Sequence, residues 1–353
     1  MADRPDTLLL YSDTGAGKTV QIGEMAKWQF AQDGTVTRLI SADSGWDPVE
    51  DLVWSPDKPF GSATPSGPVC IEAWNIQYLL NPFPVLIKLS EGAWPRADAT
   101  AKKLVMAGAR LQDGRLLASD GKTLVGQYAI EGLSTISGML MQDHIRNLRK
   151  IAEDIVGDFT AAVEVQQTDP QGKVTQGTET LKFGKSGRAH FGHIQDFVLL
   201  DLVPRFATLP VQRVIWTAHE AKGTDDITGI KDSVLGPATV GKAAVARTAM
   251  KFGDTFHLVA LTQSVTDPQT RTSKLVTSYR AYYEKHPDDQ LTRMFWPAKL
   301  SLPLDRTDDL ARTFPGGYVP LTVHNGGMDR WLEWKHRAGA NEAQPHSSNV
   351  ASM

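Results

Sequence analysis

The stretch that decides the fold is Thr7-Leu8-Leu9-Leu10-Tyr11-Ser12-Asp13-Thr14-Gly15-Ala16-Gly17-Lys18-Thr19. Its apolar first half breaks abruptly into a polar, glycine-rich half, which predicts a buried strand entering a tight loop. Residues 12–19 follow the phosphate-loop pattern G-x-x-x-x-G-K-[ST], with Ser12 in the place of the first glycine. The position of the match, directly after a predicted strand, strengthens its interpretation as a phosphate loop.

The chemistry of a phosphate loop explains why these residue types matter. Successive backbone N–H groups must point at phosphate oxygens, and glycines let the backbone approach closely with positive φ. Lys18 is expected to pair with the β and γ phosphates, and the Thr19 hydroxyl to join a Mg²⁺ shell. No base-reading motif of the GTPase type appears, so the expected ligand is ATP with Mg²⁺. The predicted nucleotide-binding residues are Ser12, Asp13, Thr14, Gly15, Ala16, Gly17, Lys18 and Thr19.

The residues after the loop predict a βαβ unit. Apolar residues recur at helical spacing over 18–32, and Gly34 follows as a helix stop signal. Residues 37–43 then have the pattern of a second strand. Because such units build parallel sheets, the predicted fold class is α/β, with a mainly parallel central sheet flanked by helices.

The remaining elements are predicted from the same patterns. Further strands are expected at 69–74, 124–131, 211–218, 256–263 and 274–281, and further helices at 97–107, 134–156 and 191–208. A mobile loop is expected over 221–249, and a β-hairpin insertion over 158–190. We expect one domain over 1–335, with insertions at about 55–125 and 158–190, followed by a disordered polar tail over 336–353.

Composition excludes several classes of protein. The 353 residues carry a net charge of −3, so any contact with nucleic acid must use a local basic patch. The single cysteine, Cys70, rules out an intramolecular disulfide framework. No apolar run approaches 18 residues, and the first residues lack the pattern of a signal peptide. We therefore expect a cytoplasmic protein without a membrane span.

Two acids follow predicted strands, where a nucleotide site in a parallel sheet is expected. Glu131 ends a strand expected to lie beside the phosphate loop, where it can hold Mg²⁺ through water in the Walker B role. In the alternative interpretation, Glu131 accepts hydrogen bonds from the N–H groups at the start of the following helix. Asp43 can orient and activate the attacking water, and its alternative is an Asx turn ahead of Gly45. Asp47 is a less favoured substitute for Asp43.

A polar pair, His219-Glu220, follows the predicted strand 211–218. At this point the pair can sense the γ-phosphate and pass that state to the following loop. The alternative is an ordinary loop entry.

The order of these pieces resembles the RecA-like ATPase core. More closely, it is similar to phage-encoded RecA-like ATPases, including the group implicated in single-strand annealing and recombination. The matching segments are 10–19, 39–43, 129–134 and 215–220, and the resemblance covers about residues 7–260. It implies that Asp43 is the catalytic carboxylate and that the loop after the sensor strand touches DNA or a neighbouring subunit. In that loop, Lys242 is the expected finger reaching a neighbour's γ-phosphate, with a solvated lysine as the alternative.

Three functions are therefore in competition. The first is a homo-oligomeric ATPase, a ring or filament, that acts on single-stranded DNA during phage replication or recombination. Binding to DNA phosphates would then depend strongly on salt. The second is a nucleotide-dependent assembly or scaffold protein with slow or no hydrolysis and no DNA role. The third, ranked last, is a small-molecule kinase.

Overall fold

The computed structural model describes residues 4–43, 46–77, 79, 81–98, 103–156, 160–168, 174–182, 188–223, 233–239, 247–266, 271, 273–283, 300, 307–321 and 327–342. Across these residues, no helix combines the length and the apolar character needed to cross a membrane.

The described part of the chain forms strands and helices in the following order. The strands are β1 (Asp6–Ser12), β2 (Val36–Ser41), β3 (Ala63–Thr64), β4 (Gly67–Pro68), β5 (Ile71–Asn75), β6 (Trp94–Asp98), β7 (Lys103–Ala107), β8 (Leu111–Gln112), β9 (Arg115–Leu116), β10 (Val125–Glu131), β11 (Thr160–Thr168), β12 (Val174–Lys182), β13 (Arg213–Gly223), β14 (Ser233–Pro237), β15 (Asp254–Thr266), β16 (Ser273–Tyr282) and β17 (Tyr318–Leu321). The α-helices are α1 (Lys18–Asp33), α2 (Pro82–Ser90), α3 (Leu133–Val156), α4 (Arg188–Asp196), α5 (Val203–Phe206), α6 (Thr307–Thr313) and α7 (Met328–Glu342). Shorter 3-10 helices cover Asp47–Leu52 and Ala249–Lys251, and a π-helical segment covers Phe197–Leu202.

A central sheet organises the fold, with the strand order β17-β16-β15-β1-β13-β10-β2-β5 and with β14 added to β13. Neighbours from β15 to β5 pair in parallel, whereas β16 and β17 pair antiparallel at one edge. The prediction of a mainly parallel sheet flanked by helices is confirmed. Since β1, β13, β10 and β2 run in the same direction, their carboxyl ends meet at one edge of the sheet.

Two apolar layers cover the faces of the sheet. Along β1, Leu8 and Leu10 belong to one buried cluster, and Leu9 and Tyr11 belong to the other. Helices α1, α6 and α7 pack in the first cluster, and α2, α3, α4 and α5 pack in the second. This alternation is the two-residue period of a strand that is buried on both faces.

The position of β10 differs from the prediction. Strand β10 was expected beside the phosphate-loop strand β1, but β13 lies between them and β1 has β15 on its other side. The physical reason is that any two apolar strands can pair, so order along the chain does not fix order in a sheet. Glu131 therefore reaches the loop across the width of one intervening strand.

The predicted helix over 97–107 is wrong. Strands β6 and β7 form an antiparallel pair there, with Trp94 opposite Ala107. Trp94 is buried and contacts the ring of Tyr128 edge-on, at a centroid distance of 6.4 Å. Even in an alanine-rich segment, helix propensity contributes little free energy per residue. The packing of Trp94 and the pairing of β6 with β7 therefore outweigh it.

The predicted mobile loop over 221–249 is partly wrong. Strand β13 does not end at Ala218 but continues through Gly223, where β14 pairs with it in antiparallel register. Side chains continue to alternate between the two faces of β13 past His219, so the β13–β14 pair extends beyond the central sheet. Residues 224–232 and 240–246 lie outside the described residues.

Helix α7 extends into the segment that was predicted to be a disordered tail. It runs through Glu342, because Trp331 and Trp334 are buried and Lys335 Nζ donates to Asp254 at 2.7 Å. These contacts hold the helix on the domain, and its last turns continue from them. Residues 343–353 lie outside the described residues.

The two segments predicted as insertions differ in their relation to the sheet. The segment 55–125 contributes strand β5 to the sheet edge, so it is not wholly an insertion. Within 158–190, β11 and β12 form an antiparallel two-stranded ribbon of their own.

Candidate functional site

The predicted phosphate loop, residues 12–19, connects β1 to α1 at the carboxyl edge of the sheet. Strand β1 ends at Ser12, and α1 begins at Lys18. Gly15 and Gly17 have φ values of 82° and 86°, in the left-handed region that side chains disfavour. A cavity of about 600 Å³ opens over the loop and the first turn of α1. Backbone N–H groups at the start of that helix can therefore face an anion in this cavity.

Lys18 is held inside the loop by three acceptors. Its Nζ donates to Ser12 Oγ at 2.8 Å, to the Ser12 carbonyl at 3.3 Å and to the Asp13 carbonyl at 3.1 Å. Burial lowers the pKa of Lys18, although the nearby carboxylates of Asp43 and Glu131 favour the charged form. Ser12 thus has a role of its own, because its hydroxyl positions the ammonium where the usual pattern has only glycine.

Glu131 and Thr19 are in direct contact. The Thr19 hydroxyl donates to Glu131 Oε1, and the Ser41 hydroxyl donates to Oε2 at 3.0 Å. Burial raises the pKa of Glu131, and these two hydrogen bonds offset part of that rise. Hydroxyl and carboxylate oxygens are the hard donors that Mg²⁺ prefers, so Thr19 and Glu131 fit a bound Mg²⁺.

Asp43 lies two residues beyond β2 and lines the same cavity. Its Oδ1 accepts a hydrogen bond from the Thr135 hydroxyl, and its Oδ2 lies 3.7 Å from His219 Nε2. The side chain is 24% exposed, so it is in contact with solvent while held in place. Asp47, by contrast, is exposed at the start of a 3-10 helix and does not line the cavity.

The predicted pair His219-Glu220 is split between two environments. His219 lines the same cavity as Lys18 and Asp43, and its backbone N–H donates to Ser134 Oγ at 2.9 Å. Glu220 instead contacts His257 Nε2 at 3.0 Å and Lys222 Nζ at 3.0 Å. The two residues project to opposite sides because they are neighbours within strand β13, not the first residues of a loop.

A chain of charges that the sequence patterns did not reveal connects β13 to the phosphate loop. Lys222 Nζ contacts Asp13 Oδ2 at 2.6 Å and also reaches Glu220. The hydrogen bond from Lys222 lowers the pKa of Asp13, and the one to Asp13 raises the pKa of Lys222. Burial favours a neutral Glu220, but hydrogen bonds from His257 and Lys222 lower its pKa overall. The two-residue spacing of Glu220 and Lys222 is the signal that would have placed both on one face of a strand.

Strand β13 also holds the residue after Glu131 in place. The Thr217 hydroxyl accepts a hydrogen bond from the Gly132 N–H at 3.0 Å, directly after Glu131. Because β13 pairs with β1 on one side and with β10 on the other, it connects the strand that ends at Ser12 to the strand that ends at Glu131. Lys242, the expected finger, lies outside the described residues.

Comparisons with known proteins find similarity among solved structures but none at the level of protein families or curated sequences. No protein-family model matches the chain, and no curated protein matches it. Among solved structures, the chain is similar to the flagellar accessory protein FlaH from Methanocaldococcus jannaschii, with a TM-score of 0.37 and 9% sequence identity. That alignment covers 92% of this chain and 89% of the other.

Proposed function

We propose that this protein binds a nucleoside triphosphate, ATP, together with Mg²⁺, and hydrolyses it. The observation that carries the proposal is the contact of the Thr19 hydroxyl with the buried Glu131 carboxylate, beside the Lys18 ammonium in a glycine loop. These groups come from β10 and from the start of α1, and the sheet brings them to one cavity.

Each group has a distinct part in binding. Lys18 and the N–H groups at the start of α1 would neutralise the phosphate oxygens. Thr19 and Glu131 would hold Mg²⁺, which supplies positive charge to the phosphates when it is bound. The Ser12 hydroxyl accepts a hydrogen bond from the Lys18 ammonium and keeps it at the loop before a ligand arrives. The Lys18 side chain therefore loses less conformational freedom on binding.

Asp43 is the group best placed to assist hydrolysis. A water molecule would attack the γ-phosphorus, its proton would pass to an Asp43 oxygen, and the bond to the leaving ADP oxygen would break. Thr135 fixes one carboxylate oxygen of Asp43, and His219 lies near the other. The carboxylate is thereby oriented toward the cavity that Lys18 also lines.

Replacement of Asp43 by asparagine is expected to lower kcat by about 100-fold while leaving MgATP affinity within a few-fold of wild type. Asparagine keeps the size and the acceptor for Thr135 but cannot take a proton. The measurement is phosphate release under saturating ATP, with Asp47→Asn as the matched control on an exposed acid of the same segment.

Wild-type turnover in Asp43→Asn would remove Asp43 as the base. The same assay with added single-stranded DNA tests the DNA role that the resemblance implies. Acceleration by DNA favours the DNA-acting oligomer, and an unchanged rate without DNA binding at low salt favours the nucleotide-dependent scaffold.

Glu131 gives MgATP binding a pH dependence of known sign. Burial raises its pKa, so protonation stabilises the ligand-free fold, and that stabilisation is lost as the pH rises through the raised pKa. Mg²⁺ needs the carboxylate, so we expect affinity for MgATP to increase with pH over the same interval. Glu131→Gln should remove this dependence and weaken the Mg²⁺-dependent part of binding by at least about 10-fold. Calorimetric titrations at several pH values check it, and an unaltered pH profile in the variant would contradict the assignment.

A further inference from the structure

A second, smaller recess adjoins the phosphate loop on the side of α1. It has a volume of about 190 Å³, well below that of the phosphate cavity. Its lining residues are Gly15, Ala16, Gly17, Val20, Gln21, Tyr279 and Leu321. None of them is charged, whereas the phosphate cavity is lined by Lys18, Asp43 and Glu131.

The walls of the recess come from two parts of the chain. One wall is the loop and the first turn of α1, and the other is the antiparallel pair β16–β17. Tyr279 and Leu321 lie directly opposite each other in that pair, so they occupy the same face of the sheet. Tyr279 is partly buried against the apolar cluster that contains α1 and α7. An aromatic ring and aliphatic side chains therefore form an apolar surface beside the phosphates' expected position.

The polar group of the recess is already engaged. Gln21 is buried, and its Oε1 accepts a hydrogen bond from the Met328 N–H at 2.8 Å. This bond ties the start of α7 to α1, so Gln21 is fixed as part of the wall. Contacts available to a ligand in the recess are thus mainly apolar and aromatic.

The recess and the phosphate cavity adjoin each other, because Gly15, Gly17 and Val20 line both. A molecule whose phosphates occupy the larger cavity can pass over the loop glycines and place an apolar ring in the smaller one. A volume of about 190 Å³ is below the roughly 300–1,000 Å³ of whole-ligand pockets, which suits one ring system instead of a second complete ligand.

We propose that this recess is the nucleobase site, in which the base packs between Val20 and the ring of Tyr279. The inference rests on the proposed nucleotide binding and adds to it the residues that hold the base. Stacking on an aromatic ring uses the π-face that every base has, so Tyr279 contributes affinity without hydrogen bonding to the base.

Calorimetric titration of the full chain with two ligands tests the inference. ATP reports on phosphates and base together, and inorganic tripolyphosphate reports on the phosphate site alone. Tyr279→Ala should bind ATP about 10-fold more weakly and bind tripolyphosphate as wild type does. Tyr279→Phe should keep wild-type ATP affinity, because the ring is retained.

Tyr318→Ala is the matched control, since Tyr318 lies on the same strand β17 as Leu321, three residues away, and does not line the recess. It should leave both affinities unchanged. Undiminished ATP binding by Tyr279→Ala would overturn the inference, as would an equal loss of both ligands. Failure of the wild type to bind either ligand would instead refute the proposed function.

A labelling experiment on the wild-type chain does not depend on whether the variants fold. Photolysis with 8-azido-ATP, followed by peptide mass spectrometry, should place the label on peptides containing Tyr279, Leu321 or Val20. Competition by unlabelled ATP should remove that label. Specific labelling confined to other peptides would overturn the assignment of the recess.

Discussion

Lys18→Ala is expected to weaken MgATP binding by about 1,000-fold. The triphosphate would enter a cavity whose buried ammonium is gone, leaving its charge opposed by the Asp43 and Glu131 carboxylates that line the same cavity. The ligand-free protein should keep its melting temperature within a few degrees. Burial already lowers the pKa of Lys18, so its removal relieves a desolvation cost that offsets the lost hydrogen bonds.

Lys27→Ala provides the control for this prediction. Lys27 belongs to the same helix, contacts Glu24 at 2.8 Å and does not line the cavity. Its replacement should leave MgATP affinity unchanged in the same calorimetric titration. If Lys18→Ala bound MgATP as tightly as wild type, the nucleotide would have to bind elsewhere, and the proposed function would be wrong.

Arg38→Met is expected to lower the free energy of unfolding by about 3–5 kcal/mol. Arg38 is 1% exposed, and its guanidinium contacts Glu72 at 2.8 Å and the Tyr128 hydroxyl at 2.8 Å. It also donates to the carbonyls of Gly92 and Leu117 and lies over the Trp94 ring. Removing it leaves the buried Glu72 carboxylate without its counter-charge and two carbonyls without the Arg38 donor. Urea unfolding of the ligand-free protein measures the loss.

Two variants separate the buried charge from other effects. Arg38→Met combined with Glu72→Gln should recover part of the loss, because no uncompensated charge remains and the amide oxygen can still accept from the Ser119 N–H. Arg205→Met removes an exposed ion pair with Asp201 and should change stability by less than about 1 kcal/mol. A loss of similar size in both single variants would contradict the argument from burial.

The local parts of the fold could be predicted from the sequence because they follow from short patterns. Helix α1 occupies Lys18–Asp33, and Gly34 ends it with a φ of 72° and an N–H bond to Phe30. Strands β1, β2, β10, β15 and β16 lie where runs of apolar residues predict them. What the patterns do not contain is the order of parallel strands, because that order depends on contacts between segments far apart in the chain.

The candidate site shows the same division. Thr19, Asp43, Glu131 and His219 line one cavity, since acids and polar groups that follow parallel strands collect at one edge. The role of Lys222 was not apparent, because its contact with Asp13 exists only once β13 lies next to β1 and continues beyond it. Tyr279 and Leu321 form part of the recess only through the pairing of two edge strands.

The neighbours of β1 have a consequence for how the chain is made. Asp6 pairs with Arg213, and Leu8 pairs with Asp254, so both partners of this strand are synthesised more than 200 residues after it. At about 5–20 residues per second, a ribosome needs on the order of tens of seconds to supply them. Throughout that interval the nascent chain carries an apolar strand with unpaired backbone groups on both sides. A truncated product that contains the entire phosphate loop but ends before residue 213 would thus be an aggregation hazard without an assembled site.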